Sequence, residues 1–268
     1  MCDFLGVSRS GYYDWRNRKR SERARTDAEL KSIIEKIHDD AEEAYGSPRV
    51  FQALKKQGFA IGRKRVERLM KELGLVGRVM KVTRRAPGSK RFLASGENLR
   101  LDLAPPTRIN QVWVADITYL KVKNRWMYLS VIMDLYSRRI IAWRLHKRRT
   151  AEVTKRTLEY ALKKRKPPPG LIFHSDRGVE YRGDVFQKAL NSRGIVHSLN
   201  RAGHCTDNAH MESFFHSMKA ELIRGIRYVS EAQLRYDLVK YINKFYNKSR
   251  LHSGIGYHSP IEYEQLAA

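Results

Sequence analysis

Gln111–Leu145, QVWVADITYLKVKNRWMYLSVIMDLYSRRIIAWRL, is the most strand-like run of the chain. Apolar and β-branched residues flank the polar interval Lys121–Arg125, and Ser137–Arg139 makes a second polar break. The pattern predicts strands over Val112–Leu120, Trp126–Asp134 and Ile140–Leu145, joined by tight turns as an antiparallel meander. Asp116 falls inside the first strand. A carboxylate there is costly unless it is paired or meets a cation.

The period changes after the meander. Thr150–Lys163 reads as a helix with Val153, Leu158 and Leu162 inward, closed by Pro167–Pro169. Leu171–Phe173 reads as a strand running into His174–Ser175–Asp176–Arg177–Gly178. Tyr181–Asn191 then reads as a helix, Ile195–Leu199 as a strand, and Asn208 onward through Ile223 as a helix. This order predicts an α/β core with a mixed sheet of about five strands flanked by helices. Asp116 lies mid-strand, Asp176 just past a strand end, and Glu212 in the second turn of a helix packed on the sheet. Strand ends are where open α/β sheets place reactive groups. Taken singly, each acid is an ordinary turn or surface residue. Together they form an all-oxygen set suited to Mg²⁺, with Mn²⁺ as a substitute. Two such ions about 4 Å apart activate water or a 3′-hydroxyl and stabilise the leaving oxygen of a phosphodiester. Asp134, at the end of the neighbouring strand, is from position alone a further candidate ligand. His204, Cys205 and His210 fit no structural zinc spacing. With His174 they are expected to line the mouth of the site or approach phosphates.

The front of the chain is helical. Val7–Ser8 followed by Tyr12, Tyr13 and Trp15 reads either as the second half of a helix-turn-helix, with Ser8 as N-cap, or as an amphipathic arm. Arg16–Arg25 reads as a basic connector. Helical periodicity follows over Asp27–Ala44, again after Pro48, and from Ile61–Gly62 to a C-cap at Gly74. The last of these helices carries Arg63, Lys64, Arg65 and Arg68 where a recognition helix presents side chains to the major groove. The expected domains are an N-terminal arm over 1–25, a helix-turn-helix-like region over 26–76, a basic linker over 77–105, the catalytic core over 106–226, and a C-terminal helix with a basic tail over 227–268. In that tail Arg250 and His252 are expected to meet phosphates.

Charge supports a polyanionic partner. Lys and Arg number 53 against 28 Asp and Glu, a net charge of +25 spread along the chain. Two cysteines make no disulfide framework and suit a reducing compartment. No signal peptide and no membrane-length apolar run stand out, so a cytoplasmic, nucleoid-associated protein with no membrane partner is expected.

The motifs Val114–Tyr119, Met133–Arg138, His174–Gly178, Asp207–Ala209, Met211–Phe215 and Lys219 resemble those of bacterial insertion-sequence transposases. In that family this chain corresponds to the downstream reading-frame product, with a retroviral-integrase-type core. Asp176 and Glu212 are separated by 35 residues, the interval that gives the D,D(35)E group its name. Gly6–Tyr13, Tyr45–Arg49 and the tail from Tyr241 to Pro260 resemble it too.

The resemblance implies a ribonuclease-H-like fold, with Asp116, Asp176 and Glu212 as ligands of two Mg²⁺. It also implies cleavage at element ends to give 3′-hydroxyls, then strand transfer into double-stranded target DNA. Lys219 would touch DNA, Asn208 would support the Glu212 helix, and Asp134 becomes structural or accessory. A homo-oligomer is expected, together with an upstream reading-frame product as fusion or partner. Two other readings stand beside this one. One is a ribonuclease-H-like nuclease on RNA hybrids, which the basic helical front end disfavours. The other is an inactive or partial downstream half that binds DNA and regulates transposition.

Overall fold

Val112–Val122 (β1) is the middle strand of a five-stranded sheet whose order is β3-β2-β1-β4-β5. It pairs antiparallel with Arg125–Asp134 (β2), which pairs antiparallel with Ile140–His146 (β3). On its other side it runs parallel to Ile172–Ser175 (β4), and β4 runs parallel to Val196–Leu199 (β5). The expected meander therefore forms, with a tighter turn than Lys121–Arg125. Lys121, Val122 and Arg125 join the ladder, Lys123 takes a φ of 50°, and its N–H donates to the Tyr228 carbonyl at 2.8 Å.

The computed structural model describes residues 2, 4–18, 21–78, 97–101, 103–202 and 204–267. They fall in two units, Met1–Gly77 and Arg78–Ala268. Most of the expected basic linker, residues 79–96, lies outside the described residues.

In the second unit Ala151–Arg165 (α5), Val179–Arg182 (α6) and Asp184–Asn191 (α7) follow the meander and β4. Leu158, Tyr181, Phe186 and Leu190 pack with Trp113, Ala115, Ile132 and Phe173 into one apolar cluster. Trp113 and Ala115 face that cluster, so strand alternation turns Asp116 to the opposite face of β1. The expected helix Tyr181–Asn191 is two helices, broken at Gly183. Ala209–Met218 (α8) packs on β1 and continues as a π-helical turn, Lys219–Ile223.

The C-terminal segment is part of this unit. Glu231–Val239 (α9), in the region expected to hold a C-terminal helix, widens into a π-helical stretch, Lys240–Tyr246. Asn247 pairs its side-chain amide with both backbone groups of Ile140, each at 2.9 Å. Pro260–Leu266 (α10) starts with a capping box of Ser259 and Glu262. Its Glu264 reaches the core, where it meets Arg165, Arg139 and Ser137. A central strand antiparallel to one neighbour and parallel to the other, in this order, is the ribonuclease-H-like arrangement that the resemblance implies.

The first unit is helical. Ser8 caps Arg9–Asn17 (α1), accepting from the Gly11 N–H at 3.1 Å, yet this helix buries none of its residues. Glu22–Asp40 (α2) begins earlier than Asp27 because Ser21 caps it, so part of the expected connector is helical. Ser47–Lys56 (α3) and Arg63–Glu72 (α4) complete the bundle. Ile34, Val50, Leu54, Val66 and Leu69 are fully buried in this unit. Gly74, at φ +68°, ends α4 in the left-handed conformation that favours glycine.

Candidate active site

Three elements bring acids to one end of the sheet. Asp116 lies on β1 and is half-buried, with one carboxylate oxygen accepting from the Ile117 N–H at 2.7 Å. Asp176 follows β4 directly and accepts from the Gly178 N–H at 2.9 Å, a turn that bends the chain away from the sheet. Glu212 lies in the first turn of α8. The Asp116 carboxyl is pushed up to about 7, first by burial, then by the charge of Asp176, with Glu212 adding to it. Three acids therefore share one electrostatic field, and Asp116 is uncomfortable in it without a cation. Among the described residues no three such side chains converge tightly enough to enclose one ion as they stand. The donor chemistry is that of a hard divalent cation, and the raised Asp116 carboxyl marks where its charge is needed.

The position of α8 is fixed from both sides of its start. Asn208 is buried and donates its amide to the Ala115 carbonyl at 3.0 Å, next to Asp116 on β1. The preceding Asp207 accepts from Asn98 at 2.7 Å and from Arg201 at 2.9 Å, and these bonds hold its carboxyl far below the usual range. Leu99 donates its N–H to Ser198 of β5 at 3.1 Å. Residues 97–100, expected to belong to the basic linker, are thus built into the support of α8. Lys219, at the start of the π-helical turn, lies over the Tyr119 ring, 5.0 Å from its centroid.

Two functional candidates escape a reading of the sequence. Arg149 donates to Glu180 at 2.6 Å and reaches within 4.0 Å of Asp176. It is the cation that opposes the three acids at Asp116. Glu180 is buried, and it sets the direction of that guanidinium. Gly178 lies where they converge. A Cβ there would meet Glu180 at 2.6 Å, Arg149 at 2.9 Å and Asp176 at 2.9 Å, so any larger residue would displace these three side-chain ends. Nothing local distinguishes Glu180 from a surface acid, because the turn after Asp176 buries it. Behind Asp176 lies a hydrogen-bonded chain. Gln187 contacts Nδ1 of His197 at 2.8 Å, the other ring nitrogen meets Ser175 Oγ at 3.0 Å, and Ser175 donates to the Asp176 carbonyl at 3.0 Å. Gln187 Nε2 also donates to the Tyr181 carbonyl, so it offers N–H to the imidazole and the neutral ring is required. Burial lowers the His197 pKa to about 4.

Other expected site residues are placed elsewhere. Asp134 is fully buried and accepts from the Asn110 and Tyr136 N–H groups and from Arg165, a structural set away from Asp176 and Glu212. Arg250, expected to meet phosphates, is internal instead. It is 3% exposed and clamps Glu221 through two nitrogens, at 2.6 and 2.8 Å, so no face of it remains for a phosphate. His252 stacks edge-on against Tyr246, with ring centroids 4.6 Å apart. His174 is not at the mouth of the site. It is buried in the sheet with its Nδ1 2.8 Å from Ser198, and its pKa is lowered to about 4 by burial. His204 is exposed and His210 half-buried. On α4, Arg65 and Arg68 are taken by Asp27 at 2.7 and 2.6 Å, whereas Lys64 and Arg63 are exposed, Arg63 beside Glu67.

Comparison with known proteins agrees with this architecture. A family model described as an integrase core domain matches residues 106–205, a second integrase core domain model matches 212–267, and an HTH-like domain matches 24–83. A 31 kDa protein of insertion element IS600 from Shigella sonnei is 38% identical over 100% of both chains. The transposase InsF for insertion sequence IS3A from Escherichia coli (strain K12) is 36% identical over 98% of this chain and 92% of its own. A chain in the cryo-EM structure of a simian T-cell lymphotropic virus intasome, in complex with PP2A regulatory subunit B56 gamma, shares the fold. It aligns with a TM-score of 0.51 at 16% identity, over 86% of this chain and 74% of that one. The chain therefore belongs to the IS3 family of insertion-sequence transposases, proteins of DNA transposition.

Proposed function

We propose that this transposase is a D,D(35)E polynucleotidyl transferase that cleaves at element ends and transfers the resulting 3′-hydroxyls into double-stranded DNA. The observation that carries the reading is the placement of Asp116, Asp176 and Glu212, acids from three separate elements, at one end of the sheet; burial first, then the charge of Asp176 and Glu212, raises the Asp116 carboxyl there. These three would hold two Mg²⁺, or Mn²⁺ in their place. When bound, such ions polarise the phosphodiester and lower the pKa of water or of a 3′-hydroxyl. The chain's own residues supply position. Asn208 sets the distance of α8 from β1, and the Ser175–His197–Gln187 chain supports the Asp176 turn. Arg149, aimed by Glu180, offers a cation to a phosphate oxygen at Asp176.

DNA is held by the basic surround, with Lys219 beside the site and Lys64 and Arg63 on α4. Two ends joined in one event call for a homo-oligomer. The test is a joining assay on labelled duplexes bearing element ends, with Mg²⁺, Mn²⁺ or EDTA. Asp116→Asn, Asp176→Asn and Glu212→Gln are each expected to cut cleavage and joining by on the order of 10³-fold, with DNA affinity kept. Metal-independent joining, or equal loss of binding in all three, would overturn the reading.

A second reading has one observation in its favour. On α1 and before it, Leu5, Tyr13 and Trp15 are 63%, 55% and 69% exposed. That apolar surface fits the docking of an upstream reading-frame product, as fusion or partner. If the chain binds DNA without joining it, and joining returns when the upstream product is fused, this chain is the partial half of the enzyme. Without such rescue it is a DNA-binding regulator.

A further inference from the structure

The hairpin end of β1 and β2 carries an aromatic surface that the carboxylate site does not use. Tyr119 is 58% exposed and Trp126 51%. They occupy diagonal positions of the antiparallel pair, since Tyr119 faces Tyr128 and Lys121 faces Trp126. Their rings meet edge to face with centroids 5.1 Å apart. Lys219 lies 5.0 Å from the Tyr119 centroid and Lys121 5.9 Å from that of Trp126.

A cross-strand aromatic pair helps to hold a hairpin. This hairpin has other fastenings, in a continuous register from Trp113–Asp134 to Val122–Arg125 and the bond from Lys123 to Tyr228. Large aromatics left half in water forgo burial that such rings usually secure. The stretch Tyr119–Tyr128 contains Lys121, Lys123 and Arg125 and no acid, so the patch repels cations and favours a polyanion. Tyr119 is three residues along β1 from Asp116, so the two side chains leave opposite faces of the strand; what ties the platform to the reacting centre is Lys219, which continues the α8 helix of Glu212 and lies over the Tyr119 ring.

We propose that Tyr119 and Trp126 form a stacking platform for an unpaired DNA base beside the phosphodiester held at Asp116, Asp176 and Glu212. Lys121 and Lys219 take the phosphates on either side of that base. The inference rests on the transferase reading above and adds the state of its substrate. Within a duplex each base face is covered by its neighbours, so a protein ring reaches one only where the pair is opened. Every base offers such a face, and the platform is accordingly indifferent to sequence.

The test uses the full chain in EDTA, so that binding is read without chemistry. The probes are a forked duplex with 2-aminopurine in its unpaired arm and the fully paired duplex of the same sequence. Wild type is expected to quench the 2-aminopurine and to bind the fork about tenfold more tightly than the paired duplex, the usual effect of one stacked base. Tyr119→Ala and Trp126→Ala are expected to lose both effects while binding the paired duplex as wild type does. Tyr119→Phe and Trp126→Phe, which keep a ring, are expected to retain them. Equal affinity for fork and paired duplex in wild type would overturn the platform, as would alanine variants that still quench or that lose paired-duplex binding as well. Phenylalanine variants that behave like the alanine ones would overturn it too. Asp176-dependent joining is read in a separate, metal-containing assay, so the platform and the transferase reading can fail independently. A wild type that binds neither duplex would overturn the DNA reading and the platform with it.

Discussion

Arg250 and Lys64 carry the same charge in the same basic chain, and tertiary packing gives them opposite tasks. Arg250 is enclosed with Glu221, and Tyr241 donates to the same carboxylate at 2.6 Å. Removing one member of a buried pair strands the other. Arg250→Met is expected to cost about 3–5 kcal/mol, and Glu221→Gln added to it should recover much of that loss in urea unfolding. A fully additive double variant would show that the two do not act as a pair. His197 supplies a pH test. Its pKa falls from 6.5 to about 4 through burial, so the unfolded chain binds its proton first. The stability it contributes is complete above pH 6.5 and is lost as pH falls from there towards 4. The loss is at most about 1.4 kcal/mol per pH unit. His174 and His210, also lowered to about 4, add to the slope. His197→Gln should flatten the stability profile by its share when urea midpoints are compared across that range. An unchanged slope would mean that His197 takes up its proton in the folded protein as readily as in the unfolded one.

Among the elements, α8 decides whether Glu212 reaches the sheet. Its hold on β1 is the amide of Asn208 on the Ala115 carbonyl. Asn208→Ala leaves that buried carbonyl without its donor, which costs roughly 1–3 kcal/mol. Because it also frees the start of α8, joining activity is expected to fall further than this stability loss explains. Asn208→Asp is a sharper variant, since it removes the donor and adds a fourth acid to the cluster. Joining that tracks only the folded fraction would show that α8 is positioned by its apolar contacts alone. The two π-helical stretches, Lys219–Ile223 and Lys240–Tyr246, belong to the same scale. Glu221 and Tyr241 lie within them, so the buried Glu221 network joins the two wide turns. Periodicity marks a continuous helix at both places, because an apolar stripe continues across a π turn and only the backbone bonds reveal the change.

For the whole molecule, charge is the measurable quantity. A chain of net charge +25 should bind duplex DNA with an affinity that falls linearly in log–log salt plots. Each phosphate that the protein neutralises contributes about 0.9 to the steepness of that line. Lys64→Ala is expected to make the line shallower by one such step, and Arg250→Met to leave it unchanged. Equal slopes for wild type and Lys64→Ala would remove α4 from the DNA surface.

Local pattern was enough to mark the five strands, their order along the chain and the three candidate acids. Alternation, turn residues and a carboxylate inside an apolar run are local signals, set by the strand period and by the cost of burying charge. Caps were legible for the same reason, as Ser8 and Gly74 illustrate. Which basic residues are spent on internal acids depends on packing between distant segments. Asp27 and Glu221 lie 38 residues from Arg65 and 29 from Arg250 respectively, and no local pattern pairs them. The same holds for Arg149 and Glu180, brought to Asp176 by the packing of α6 against α5, and for Glu264, joined to Arg165 across 99 residues. A charge announces its sign in the sequence, but its partner is fixed by the fold, and the partner decides whether that charge is structure or site.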